Sequence, residues 1–193
     1  MITLDQLHLA TGATLEDAAT YLDAINSALT YGEIDMPSKL AAFLATLSVE
    51  SARLSTVEEG LYYRSAERLA QIFPRVFADA DAAEPYVKNP EGLSKVLYDG
   101  YHGRGLIQLT WKRNYKACSD ALGVDFVANP ELLLQPHAAA LSAAWFWKTN
   151  GCNIPATRGD MVSVTRIVNG RALMHLKERQ DQYARAISVL SFA

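Results

Sequence analysis

The stretch PSKLAAFLATLSVES, residues 37–51, decides how this chain folds. Proline suits the first position of a helix, because its missing N–H would have no intrahelical partner there. Beyond Pro37 the apolar residues Leu40, Phe43, Leu44 and Leu47 recur at three-to-four spacing, the pattern of a helix with one buried stripe. Glu50 continues that stripe. Burying an ionised carboxylate is costly, so an acid on the inward face favours its protonated form. Beside a cleft, such a group supplies what a general acid needs. Spacing alone is equally met by a solvated Glu50 on a frayed helix end.

Working outward, the same helical punctuation recurs. Thr14, with Asp17 three residues later, reads as a capping box opening a helix that ends near Gly32. Ser65 caps a short helix stopped by Pro74, and Pro90 opens another that ends near Gly100. After the turn-rich YDGYHGRG (98–105), a helix over 111–122 stops at Gly123. Pro130 and Pro136 each open a helix, the second carrying AAALSAAWFW (138–147) and closing at Gly151. A helix over 160–168 is followed by Asn-Gly and a last long helix over about 173–190. No repeat, low-complexity stretch or linker divides the chain. The expectation is an all-α protein, two helical lobes sharing a cleft.

Composition narrows the function. The chain has 193 residues, half of them hydrophobic, enough to bury a core. With 18 basic and 21 acidic residues its net charge is −3, a poor match to duplex DNA, whose binding is dominated by phosphate contacts. No nucleic-acid partner is expected. The longest apolar run, 138–147, falls short of the eighteen or so residues that span a bilayer, and no polybasic run suits a membrane surface. No stable membrane insertion is expected, and core packing is the default for ARAISVLSFA (184–193). MITLDQLHLATGATLEDA (1–18) lacks the basic-then-apolar order of a secretory signal. Cys118 and Cys152 read as free thiols, and four scattered histidines offer no zinc spacing. Neither metal nor other cofactor is expected.

Two further stretches can carry chemistry. Glu58-Glu59 precedes the aromatic run Leu61-Tyr62-Tyr63, and adjacent tyrosines suit the apolar faces of sugars. A carboxylate on each side of a sugar-sized cleft is what glycosidic hydrolysis needs: one protonates the leaving oxygen, the other activates water or attacks. As isolated residues, an acidic pair after a helix is equally a solvated loop. GRGLIQLT (103–110) is no phosphate loop, since no Gly-Lys-Ser/Thr follows. Its glycines permit close backbone approach, and Gln108 and Thr110 face one way if the segment is extended. An ordinary turn between helices fits it too.

Together SVES (48–51), VEEGLYYRSAERLAQIFP (57–74), GRGLIQLTWKRNY (103–115) and NPELLLQPHAAALSAAWFWKTNGCN (129–153) resemble glycoside hydrolase family 19, most of all its phage endolysins. The similarity runs from about residue 1 to residue 183. It implies a lysozyme-like helical fold with two lobes and a central substrate cleft. In the family the general acid lies in a His-Glu-Ser/Thr-Gly-Gly motif; residues 49–53 here read Val-Glu-Ser-Ala-Arg, so Glu50 matches the acid. Compact members place the general base nine residues later, which selects Glu59. Thr110 matches the hydroxyl that helps hold the attacking water. Gln108 and Asn114 match substrate-binding positions, Tyr63 is a candidate sugar contact, and Asn169 in IVNG and Arg179 in KERQDQY resemble the distal polar contacts. Val49 stands where the family has histidine, and Ala52-Arg53 where it has two glycines.

The resemblance implies an inverting hydrolase of the β-1,4 glycan of peptidoglycan: a single catalytic domain over 1–193, without a separate wall-binding domain, and monomeric. It further implies storage in the host cytoplasm, release through a separate holin and action on the periplasmic wall. Chitin remains an alternative substrate, since a fold does not choose between polymers. A lytic transglycosylase also remains, because Gly105-Leu106-Ile107-Gln108 partly echoes that class; it needs one carboxylate, so Glu59 argues against it. The non-enzyme alternative is a glycan-binding domain.

Overall fold

The computed structural model describes residues 1–191; Phe192 and Ala193, the end of the last expected helix, lie outside the described residues. The α-helices are α1 (Leu4–Thr11), α2 (Leu15–Tyr31), α3 (Pro37–Glu50), α4 (Ala66–Ile72), α5 (Ala80–Ala83) and α6 (Pro90–Tyr98). They continue with α7 (Lys112–Leu122), α8 (Pro136–Thr149), α9 (Asn153–Thr157), α10 (Met161–Asn169) and α11 (Leu176–Leu190). Short 3-10 turns occupy Glu84–Tyr86, Pro130–Leu134 and Gly170–Ala172. Among the described residues there is no β-strand. The fold is all-α.

The larger lobe is built around α3. Residues 41–48 are all buried, so the helix is enclosed on every side and not only along the expected stripe. Its alanines explain this: Ala41, Ala42 and Ala45 are short enough for neighbours to approach closely, α11 above all and then α1 and α9. The hydroxyls this encloses are satisfied within the lobe. Thr46 donates to the Ala42 carbonyl at 2.8 Å, and Ser48 to that of Thr11 at 2.8 Å. Phe43 meets Trp147 of α8 edge-on at 5.3 Å, while α2 packs along α8. The smaller lobe wraps α4, α5 and α6 around Leu61, Leu69, Phe77 and Leu93. A third cluster, including Tyr115, Phe126 and Leu133, fastens α7 to α8.

The caps at Thr14, Pro37, Ser65, Pro90, Gly123 and Pro136 fall where the sequence puts them. Two expectations need correction. The helix opened by Pro130 is a 3-10 turn, because Pro136 forces the residue before it, Gln135, into an extended conformation (ψ 139°). The last helix begins at Leu176, not near 173, since Leu173 and His175 both have left-handed backbone (φ 49° and 59°). Two short helices, α5 and α9, have too few residues to show a period.

Candidate active site

Glu50 is the last residue of α3, and its side chain is 17% exposed. It does not stand alone on the inward face, as its spacing suggested. The guanidinium of Arg179 from α11, fully buried, donates to its carboxylate. Arg179, which the resemblance offers as a distal polar contact, has no exposed surface here, and its contact is to Glu50. Its remaining Nε and Nη1 have no protein hydrogen-bond partner, so Glu50 is what offsets the buried charge.

The chain leaves Glu50 through a tight turn organised by Ser51. The buried Ser51 hydroxyl donates to the Leu47 carbonyl at 2.6 Å and accepts from the Leu54 N–H at 3.0 Å. Ala52, Arg53 and Leu54 are all left-handed (φ 48°, 62° and 67°). Each therefore carries a Cβ penalty that glycine would avoid. Ala52→Gly is expected to stabilise the protein by about 1 kcal/mol, the relieved strain exceeding the added freedom of the unfolded chain. Thermal unfolding should shift up by about 2–4 °C. An unchanged or lowered midpoint would show that the turn is unstrained.

Glu59 lies on a stitch joining the lobes. Its own N–H donates to the Gly103 carbonyl at 2.9 Å, and the Gly105 N–H donates to Val57 at 2.8 Å. Its carboxylate accepts from the Tyr98 hydroxyl at 2.7 Å and from the Gly103 N–H at 3.0 Å. Burial, then the bond to Glu59, pushes the Tyr98 phenol well above its ordinary range, so it stays a donor. GRGLIQLT is neither extended nor an ordinary turn. It is a hairpin in which Arg104 pairs with Leu109 and Gln108 is left-handed (φ 55°). Leu106 and Ile107 at its tip are buried in the large-lobe core, which fixes its position. A Cβ on Gly103 would stand 2.7 Å from Gln108 Oε1 and 3.4 Å from Thr110 Oγ1. Glycine there lets Gln108 and Thr110 crowd the same backbone unit that holds Glu59. The hairpin, not an extended strand, brings those two side chains together.

The family model for class I chitinases of glycoside hydrolase family 19 matches residues 16–172. The chain belongs to glycoside hydrolase family 19. The family 19 domain-containing protein of Haemophilus influenzae is 34% identical over 163 residues, spanning 77% of this chain and 78% of that one. An endochitinase of Arabidopsis thaliana is 31% identical over 132 residues, 68% of this chain but 43% of the plant protein. The crystal structure of a bacterial family 19 chitinase aligns with a TM-score of 0.64 at 25% identity, over 98% of this chain and 94% of that one. Chitinase C of Streptomyces griseus shares the fold, with a TM-score of 0.68 at 23% identity over 98% and 76% of the two chains. This family 19 glycoside hydrolase thus has the family's lysozyme-like, mostly helical fold.

Several residues of the hydrolase escaped the sequence reading. Glu58 is bound from behind: His102 Nε2 lies 2.9 Å from its Oε1, and Arg104 Nε 3.4 Å. His102 Nδ1 lies 2.6 Å from the buried hydroxyl of Ser94, and the Tyr115 hydroxyl donates to the His102 carbonyl at 2.7 Å. Arg104 in turn donates to Tyr115 at 3.1 Å, and burial pushes the Tyr115 phenol up to about 12. Glu58 therefore anchors a buried polar network under the stitch. The signal was present, as His102 and Arg104 flank Gly103, but the carboxylate they share, Glu58, lies more than forty residues away in sequence.

The remaining candidates have mixed placements. Asn114 donates to the Thr110 carbonyl at 2.8 Å, tying α7 to the hairpin. Tyr63 is half-buried in the small lobe, edge-on to Phe73 at 6.0 Å. Asn169 donates to the Met174 carbonyl at 3.3 Å and so braces the break before α11. Cys118 and Cys152 are buried free thiols in separate clusters, and burial pushes both up to about 12. Neither has the lowered pKa of a nucleophile.

Proposed function

We propose that this chain is an endolysin that hydrolyses the β-1,4 bonds of peptidoglycan with inversion, Glu50 acting as general acid and Glu59 as general base. The observation that carries the reading is the contrast between the two carboxyl groups. Glu50 is oriented by a single buried cation, whereas Glu59 is clamped by a phenol and a backbone N–H that leave a lone pair on each oxygen. Such a base can accept one proton from water. The Thr110 hydroxyl donates its own proton to the Gln108 carbonyl at 2.8 Å, so towards water it can only accept. A water donating one hydrogen to Glu59 and the other to Thr110 turns its lone pair towards the anomeric carbon. Glu59 then takes the proton as the C–O bond forms, and Glu50, which takes up a proton from solvent against its pairing with Arg179 before each turnover, gives it to the departing glycosidic oxygen.

Gln108, Asn114, Tyr63 and Asn169 supply polar and aromatic contacts to the glycan, and Arg179 is a positioning residue. The chain acts as a single catalytic domain, a monomer held in the host cytoplasm until a holin admits it to the periplasm. A second reading, chitin hydrolysis, is favoured by the name of the Arabidopsis relative. Lysis of outer-membrane-permeabilised Gram-negative cells, with mass spectrometry of the fragments, tests the proposal. Fragments with ordinary reducing ends are expected. 1,6-Anhydro ends would make the enzyme a transglycosylase, and cleavage of chitin oligosaccharides without wall lysis would favour the second reading.

The water-holding role of Thr110 has its own test. Thr110→Val keeps the volume and removes the hydroxyl, and should lower kcat about tenfold with little change in KM, the loss of one hydrogen bond in the transition state. Full activity would show that Thr110 only shapes the hairpin.

A further inference from the structure

Behind Tyr98, the phenol that holds Glu59, the surface carries an apolar groove of about 430 Å³. Ile72 and Phe73 from the end of α4, Val76, and Tyr98 and Trp111 line it. Tyr98 links it to the proposed catalytic centre, because its ring lines the groove and its hydroxyl donates to Glu59 at 2.7 Å. Trp111 is 46% exposed, Val76 44% and Ile72 37%, an uncovered apolar surface at the edge of a cleft. Trp111 is also held in a backbone conformation unusual for a side chain (φ 76°, ψ 135°). Bonds on both sides impose it: its N–H donates to Tyr101 at 2.8 Å, and its carbonyl accepts from Asn114 at 2.9 Å. The indole and the Tyr98 ring meet in a T-shaped arrangement at 5.2 Å, with nearly half of the Trp111 surface uncovered. A large aromatic held strained, exposed and next to a reacting group is a feature of binding sites, not of packing.

Arg75 lines the same groove, is exposed, and has no ion-pair partner among the described residues. An apolar floor with one free guanidinium fits a sugar that carries an acid. We infer that this groove is a subsite for a muramyl unit, its ring stacked on Trp111 and its carboxylate paired with Arg75. That acid is the lactyl group itself or, where the lactyl is amidated, an acid of the attached peptide. Chitin has no such acid, so the inference rests on the peptidoglycan reading and names the residues that distinguish the two polymers.

Steady-state kinetics on soluble peptidoglycan strands, with and without stem peptides, and on a chitin hexasaccharide test it. Trp111→Gly relieves the backbone and removes the ring; it should raise KM for the strands about tenfold, with Trp111→Phe recovering most of the loss. Arg75→Gln should weaken the strands at least about threefold more than the hexasaccharide, the share of one exposed charge pair. A loss confined to peptide-free strands assigns the lactyl acid, and one confined to peptide-bearing strands assigns the peptide. Wild-type KM for both variants on the strands overturns the inference while leaving the peptidoglycan reading intact. Equal loss on all substrates for Arg75→Gln overturns the carboxylate contact. A wild-type enzyme that cleaves only the hexasaccharide overturns both the reading and the inference.

Discussion

Glu50→Gln is expected to lower turnover by about 10²–10⁴-fold, because the amide keeps the shape of the acid but has no proton to give the leaving oxygen. The structure adds a second consequence that the sequence did not suggest. Arg179 is fully buried with two further nitrogens unpartnered, so neutralising Glu50 leaves a guanidinium without a counter-charge. Breaking a buried pair from one side costs about 3–5 kcal/mol, and the amide oxygen, which still accepts one bond, places this variant at the lower end. Inactivity alone would therefore be ambiguous. The double variant Glu50→Gln with Arg179→Met removes both charges and should regain most of the stability while remaining inactive. Chemical denaturation and a lysis assay on the same preparations separate the two effects. A single variant with activity within about threefold of wild type would remove Glu50 from the chemistry.

Glu59→Gln should be impaired by a similar factor of about 10²–10⁴, without a comparable loss of stability. Its partners, the Tyr98 hydroxyl and the Gly103 N–H, are neutral donors that an amide oxygen can still satisfy in part. Glu58→Gln should behave differently. Its half-exposed carboxylate pairs with His102 and Arg104 beneath the stitch, so the expected loss is a modest one in stability, about 1 kcal/mol after solvent screening, with activity falling by less than about tenfold. Comparing kcat and unfolding midpoints of the two variants checks the assignment. If Glu58→Gln were the more damaging to kcat, the base would be the other member of the pair.

Local signals made much of this legible. Thr14, Ser65, Pro37 and Pro136 act within one turn of their own positions, so the helix starts they mark could be read from sequence. The order of carboxylate, carboxylate pair and GRGLIQLT likewise pointed to family 19, to which the chain belongs. What sequence could not show is set by contacts between distant residues. Arg179 meets Glu50 across 129 positions, and Tyr98 meets Glu59 across 39. Periodicity placed Glu50 on an inward face but could not say that a cation waits there. It also took α3 for an amphipathic helix, whereas its alanines let neighbours close around it. Sequence left GRGLIQLT open between an extended segment and an ordinary turn for a related reason: the burial of Leu106 and Ile107 in the larger lobe curls it into a hairpin.

Two carboxyl groups acting through a bound water fix the configuration of the first product, which therefore reports the mechanism directly. Proton NMR of the new reducing end, recorded in the first minutes of cleavage of a β-1,4 oligosaccharide, distinguishes the possible courses before mutarotation blurs them. Water delivered by Glu59 from the face opposite the leaving group gives the α-anomer first, and that is the predicted result. The β-anomer appearing first, or an anhydro end with no free anomer, would contradict the account.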